Sequence, residues 1–247
     1  MCTIQGNGTI INANNPRPAQ NVSGFSCYIA SRDPTVATLE SRNASYYSAA
    51  MPAVTVPLAC HHVIGWDVIW GFWNALVAQQ DYDRLRVFMA FYGVDQAKSA
   101  NLKKDISNAR YQPPANFEAK LCWNPINIVR GPNDRTDDPS GASTASEKID
   151  FQTAPAAMYG GRVAKLVAAG KQMCLYMNHP KSNGGSADVA LQALRALNTS
   201  GSTEIMEWDE SLWMVDKKTP SYSRLLDPRG GFAVVRPKWK LLKDRRK

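Results

Sequence analysis

The sequence predicts an α+β fold, and three observations carry that prediction. Apolar residues recur at steps of three and four in some stretches and run in short extended blocks in others. The two kinds of segment do not alternate regularly, as the strands and helices of a parallel α/β sheet would. No internal repeat is present. With 247 residues, 44% of them hydrophobic and 20% charged, the chain can bury a substantial core.

Residues 1–24, rich in Asn, Gly and Pro, read as an irregular N-terminal arm. Residues 25–216 read as the α+β domain, and residues 217–247 as a basic C-terminal segment. Within the domain, residues 51–60 (Met-Pro-Ala-Val-Thr-Val-Pro-Leu-Ala-Cys) predict an extended strand. Pro52 and Pro57 cannot donate to a ladder, so the strand belongs at an edge.

Val68, Ile69, Phe72, Trp73, Leu76 and Val77 then mark one helical stripe. Asp81-Tyr82-Asp83 interrupts it, Leu85, Val87, Phe88, Phe91 and Tyr92 resume it, and Gly93 is a stop signal. Trp66, Trp70 and Trp73 sit at helical spacing and read as core. A polar helix follows over roughly 95–109 and ends before Pro113-Pro114.

Residues 119–130 predict a strand or hairpin arm that runs into an evident loop at 131–141. Met158, Val163, Leu166, Val167 and Leu175 predict helix over 154–177. A loop around 181–186 and a helix over 187–197 come next. Strand-like runs close the chain at 205–208, 212–215 and 232–235.

The charge is placed unevenly. The formal net charge is +8, yet the eleven Lys and Arg from Lys217 onward outweigh Asp227 and Asp244 by nine, leaving residues 1–216 at −1. Such a segment suits polyphosphate, an anionic membrane surface or an acidic protein. Its interleaved apolar residues, as in Phe-Ala-Val-Val-Arg-Pro-Lys-Trp-Lys-Leu-Leu-Lys, point to a folded strand or helix with one basic face.

The five cysteines, at 2, 27, 60, 122 and 174, contain no Cys-x-x-Cys pair, which argues against a zinc ribbon or a small disulfide scaffold. Reduced thiols in a cytosolic setting are expected. The first twenty residues lack the apolar core of a cleavable leader, and no stretch is long enough to span a bilayer.

Two segments carry the candidate chemistry. Residues 59–66 read Ala-Cys-His-His-Val-Ile-Gly-Trp and hold two of the three histidines. Neighbouring side chains on a strand point to opposite faces, so one imidazole can hold a metal while the other faces a substrate. The second segment, Trp123-Asn-Pro-Ile-Asn-Ile-Val-Arg-Gly-Pro-Asn-Asp-Arg-Thr-Asp-Asp-Pro139, adds amides, carboxylates and two guanidinium groups beside turns. His179, in a loop, reads as a surface histidine. Residues 182–187 lack the Lys-Ser/Thr of a phosphate loop.

The run His61-His62-Val-Ile-Gly-Trp resembles the first half of the HNH, or ββα-metal, nuclease finger. It is closest to the histidine-pair variants of bacterial polymorphic toxins. Asn127-Ile-Val-Arg-Gly-Pro-Asn133 is similar to the returning strand of that finger. The resemblance covers about forty residues in two pieces. It implies a ββα-metal finger embedded in a larger mixed domain. In it His61 is a metal ligand, His62 the general base, and Asn127 the amide that fixes the loop and orients the base, with Asn124 as a near alternative.

This sequence departs from the pattern after Asn127, where no histidine stands at finger spacing. Asn133, Asp134, Asp137 or Asp138 must then supply the last ligand. Arg130 and Arg135 are placed to clamp a phosphate bidentately. Mg²⁺, Mn²⁺ or Zn²⁺ suits the ligand types.

The activity implied is metal-dependent phosphodiester hydrolysis, of DNA more than RNA, by an antibacterial toxin or effector. Such a protein is expected to be cytoplasmic in its producer, delivered to a target cell without a cleavable leader, and opposed by an acidic inhibitor protein. The rival reading is a non-enzymatic nucleic-acid-binding or virion-associated protein, in which the arm and the basic end are structural. A module whose histidines hold a structural metal is a third.

Overall fold

The computed structural model describes residues 58–93, 117–132, 135, 137–139, 149–199, 204–207, 209, 213–215 and 239–241. The arm at 1–24, the polar helix at 95–109, the strand-like run at 232–235, and Asn133 and Asp134 lie outside the described residues.

Helices and antiparallel strands make up the described part, an α+β arrangement. Strand β1 (Leu58–His62) pairs antiparallel with β2 (Ile128–Pro132), setting His61 opposite Val129 and His62 opposite Ile128. A second small ladder pairs β3 (Trp213–Val215) with β4 (Trp239–Leu241). Of the strand expected over 51–60, residues 58–60 fall in β1, whereas residues 51–57, Pro52 and Pro57 included, lie outside the described residues.

Single bridges widen the first ladder. Ile64 meets Ile149 beside β1, and Val129 meets Met206 beside β2. The Met206 N–H donates to Ile128 O at 2.9 Å, and the Arg130 N–H donates to Met206 O at 2.8 Å. Four segments therefore lie side by side around the histidine pair.

Helix α1 (Trp66–Ala78) starts at Gly65 directly after this ladder. Val68, Ile69, Phe72, Trp73 and Leu76 are wholly buried, and Trp66 and Trp70 nearly so, which makes α1 the central helix. Helix α2 (Tyr82–Phe91) begins at Asp81, whose carboxylate accepts the Arg84 N–H and caps it. Gly93, at φ 65°, ends that run as the sequence predicts.

One expectation is corrected between residues 117 and 127. Phe117–Cys122 forms a short helix, α3, in place of the strand or hairpin arm, and Pro125–Asn127 forms a 3-10 turn before β2 begins. Glu118, Ala119, Lys120 and Leu121 are strong helix formers, and Glu118 and Lys120 complement the helix dipole. Asn124 then accepts the Ile126 N–H and caps the turn.

Helix α4 (Arg162–Asn178) follows a left-handed run at Tyr159, Gly160 and Gly161. It pairs with α5 (Gly184–Thr199), and the two close over α1 and α2. Arg84 on α2 forks onto Asp188 on α5 at 2.7 and 2.8 Å. No described helix is long and apolar enough to cross a membrane.

Cys60 is disulfide-bonded, whereas Cys122 and Cys174 form no disulfide. The expectation of uniformly reduced thiols is thereby corrected: an odd total still leaves room for a bridge.

Candidate functional site

The histidine pair stands at the end of β1, where the chain leaves the strand for α1. Its exit is held on two sides. The fully buried Asn127 side chain accepts the Ile64 N–H through Oδ1 and donates Nδ2–H to Ile64 O, both at 2.8 Å. The Val63 N–H donates to Asn127 O at 2.9 Å, and the Asp150 N–H donates to Val63 O at 2.8 Å. Residues 63 and 64 are thus fixed by segments far away in sequence.

Asn127 itself sits in a turn pinned from below. The largely buried Arg162 guanidinium donates to Pro125 O and Ile126 O, both at 3.1 Å, and to Glu204 O at 2.5 Å. Burial alone lowers the Arg162 pKa from its ordinary value.

The two imidazoles face opposite ways. The His62 Nε2–H donates to Cys122 O at 2.8 Å, with Cys122 Sγ 3.6 Å away and the Trp123 ring 4.8 Å off, centroid to centroid. His62 is 8% exposed. His61, 7% exposed, looks toward the loop after β2. Its Nε2 lies 3.0 Å from Pro132 O and its Nδ1 lies 3.5 Å from Asp138 Oδ2. Phe151 meets the His61 ring edge-on at 6.5 Å, and Trp213 lies at 6.4 Å.

A charged cluster adjoins His61. Arg135 grips Asp150 with two parallel bonds of 2.6 and 3.0 Å and holds Asp137 through Nε at 3.0 Å. Its guanidinium lies over Phe151 at 4.9 Å and over Trp213 at 5.0 Å. Burial opposes the Arg135 charge, but the Asp150 and Asp137 carboxylates outweigh it and raise its pKa. Burial likewise raises the Asp150 carboxyl above its usual range, against the pull of Arg135. A cleft of about 190 Å³ opens here, lined among others by Arg135, Asp137, Asp150, Phe151 and Gln152.

Of the residues singled out in the sequence, His61, Asp137, Asp138 and Arg135 come together on one side of β1, with His62 on the other. Asn127 lies between the two segments as a fastening. Asn124 caps the turn and donates to Phe91 O. Two expectations change. The Arg135 side chain is 1% exposed and turned onto carboxylates, so it braces the loop and is not placed to clamp a phosphate. Arg130 pairs across the ladder with Cys60, out of phase with His61, and reaches Glu207 at 3.1 Å, away from the cleft. His179 is exposed at the end of α4, as expected.

Sequence reasoning missed Asp150, Phe151, Arg162 and Trp213. Only Asp150 left a trace, as a carboxylate between two apolar neighbours in Ile149-Asp-Phe151. Among the described residues, no group of three or more His, Cys, Asp or Glu side chains is placed to hold a metal ion. Comparisons with protein-family models, curated proteins and solved structures find no match.

Proposed function

We propose that the chain is a metal-dependent phosphodiester hydrolase whose centre is the His61–Asp138 pair. One observation carries this reading. A carbonyl only accepts, so the contact with Pro132 O puts the proton of a neutral His61 on Nε2. Nδ1 then presents a lone pair to Asp138 Oδ2, another acceptor, at 3.5 Å. Two acceptors held this way call for positive charge between them. His61 and Asp138 would be the residues of this chain that hold a divalent ion there. The donor set, an imidazole nitrogen and a carboxylate oxygen, suits Zn²⁺ or Mn²⁺ better than Mg²⁺.

When bound, such an ion neutralises charge on the phosphoryl oxygens and the leaving oxygen. The chain's own residues supply the rest. Asn127 fixes residues 63 and 64, and so the direction in which both imidazoles leave the strand. His62, expected as the general base, faces away from this pair with its Nε2–H held by Cys122 O, so it ties β1 to the end of α3 and is not placed to take a proton from water at His61. Asp137 and the Arg135–Asp150 brace shape the adjoining cleft. The resemblance to toxin fingers supports a role as an antibacterial effector opposed by an acidic inhibitor.

Plasmid nicking with and without chelator tests this, beside calorimetric titration of Zn²⁺ and Mn²⁺. His61→Ala and Asp138→Asn are expected to lose both metal binding and cleavage. Folded His62→Ala is expected to keep both metal binding and cleavage, since His62 points away from the pair. Cleavage unchanged in folded His61→Ala overturns the centre. Absence of nicking by the wild-type protein with every metal overturns the enzyme reading and favours the binding-protein alternative.

A further inference from the structure

The α4–α5 hairpin polarises a stretch of chain that is nearly neutral in total. Residues 162–199 hold Arg162, Lys165, Lys171, Lys181 and Arg195 against Asp188 alone, a balance of +4. Residues 1–216 sum to −1, so the rest of that stretch carries −5. Arg162 is buried and directed at backbone carbonyls, and the Asp188 carboxylate is taken up by Arg84. Lys165, Lys171 and Lys181 are exposed and form no ion pair with any described residue.

The same hairpin holds the two large apolar side chains that stand exposed among the described residues, Leu175 at 46% and Val189 at 52%. On α4 the exposed positions Ala164, Ala168, Lys171 and Leu175 recur at steps of four, three and four, which puts them on one face. The two alanines leave room there for a second helix to lie alongside. Leu175 stands close to the end of α4 and Val189 close to the start of α5, so both flank the loop that carries His179 and Lys181.

That end of the hairpin is held firmly. The Asn183 Nδ2–H donates to Leu175 O and the Asn183 N–H to His179 O, both at 2.9 Å. Arg84 ties the start of α5 to α2. A partner therefore meets a surface already in its bound shape and does not have to order it.

We propose that the outward face of the α4–α5 hairpin is a docking surface for an acidic amphipathic helix of a partner protein. The apolar stripe of that helix covers Leu175 and Val189, and its carboxylates meet Lys165, Lys171 and Lys181. A phosphate backbone would satisfy the lysines but gains nothing from Leu175 and Val189. Entry into an anionic bilayer calls for larger apolar side chains than these. A second copy of the chain would bring the same lysines face to face. The surface includes neither His61 nor Asp138 and stands independently of the hydrolase reading.

The test uses the full chain and a fluorescently labelled helical peptide of about five turns, with leucines on one face and glutamates on both flanks. A control peptide carries Gln in place of every Glu. Anisotropy is read for wild-type protein, for Lys171→Glu/Lys181→Glu and for Leu175→Gln/Val189→Gln, all of them exposed positions. Wild type is expected to bind the acidic peptide in the micromolar range and the control about tenfold more weakly. Each double variant is expected to bind the acidic peptide about tenfold more weakly than wild type.

Affinity within twofold of wild type in both double variants overturns the proposal. So does a wild-type protein that does not prefer the acidic peptide to its Gln control. A short DNA duplex that binds wild type and not the lysine variant, while the acidic peptide fails to bind, overturns it in favour of nucleic acid. Binding to phosphatidylserine vesicles that is lost in both variants, again with no peptide binding, overturns it in favour of a membrane.

Discussion

Asn127 is the residue whose loss should be felt most widely for its size. Truncation to Ala strands the buried Ile64 N–H and C=O, each costing roughly 1–3 kcal/mol, and frees the backbone that aims both histidines. Asn127→Ala is expected to lower stability by about 3 kcal/mol, read as a lower urea midpoint at unchanged m-value. Gly131→Ala should cost about 1–3 kcal/mol, because its new methyl group meets the Trp213 ring. Replacing Gly131 should also weaken Zn²⁺ binding, since the same methyl presses on His61. Arg135→Met leaves Asp150 buried without its cation and should cost about 3–5 kcal/mol, most of it recovered in the double variant Arg135→Met/Asp150→Leu. At this scale the histidines, Asn127 and Asp138 were legible, because reactive or turn-forming side chains stand out in a sequence. Arg135 misled because a guanidinium beside a turn looks the same whether it faces a ligand or folds back onto Asp150. That distinction is made by a carboxylate fifteen positions away.

Among the elements, α1, α2, α4 and α5 follow the apolar spacing closely, since a helix buries its own periodic face. The departures fall where partners are distant. Of the stretch 119–130 expected as a strand or hairpin arm, only residues 128–130 are strand; Glu118 to Leu121 favour helix and form one. The 204–207 segment gains its bridge to β2 only through Val129, a pairing no local pattern encodes. One prediction belongs to the α2–α5 contact. Hydrogen bonds from Arg84 hold the Asp188 carboxyl below its ordinary value of 3.8. A depressed carboxyl adds stability above that value and loses it as pH falls through the lowered one. Both groups are partly or largely exposed, so screening keeps the contribution to about 0.5 kcal/mol. The difference in unfolding free energy between wild type and Asp188→Asn should therefore be present at neutral pH and fade as the solution is taken below 3.8.

For the molecule as a whole, the core and the candidate site are both built from contacts between distant parts of the chain. α1 and α2 pack against α4 and α5 from much later in the chain, with Arg84 and Asp188 104 residues apart, and the site joins β1, β2, the 149–151 segment and β3. Ile64 and Asn127, which fasten it, are 63 residues apart. The composition fixed the unequal charge of the two ends, but not that β4 would be tied to the strand carrying Trp213. The Cys60 disulfide adds a covalent constraint one residue before His61.

That separation bears on how the protein is born. A ribosome must carry synthesis well past Asp138 before His61 can meet its carboxylate, so α1 and α2 emerge well before the parts of the site can come together.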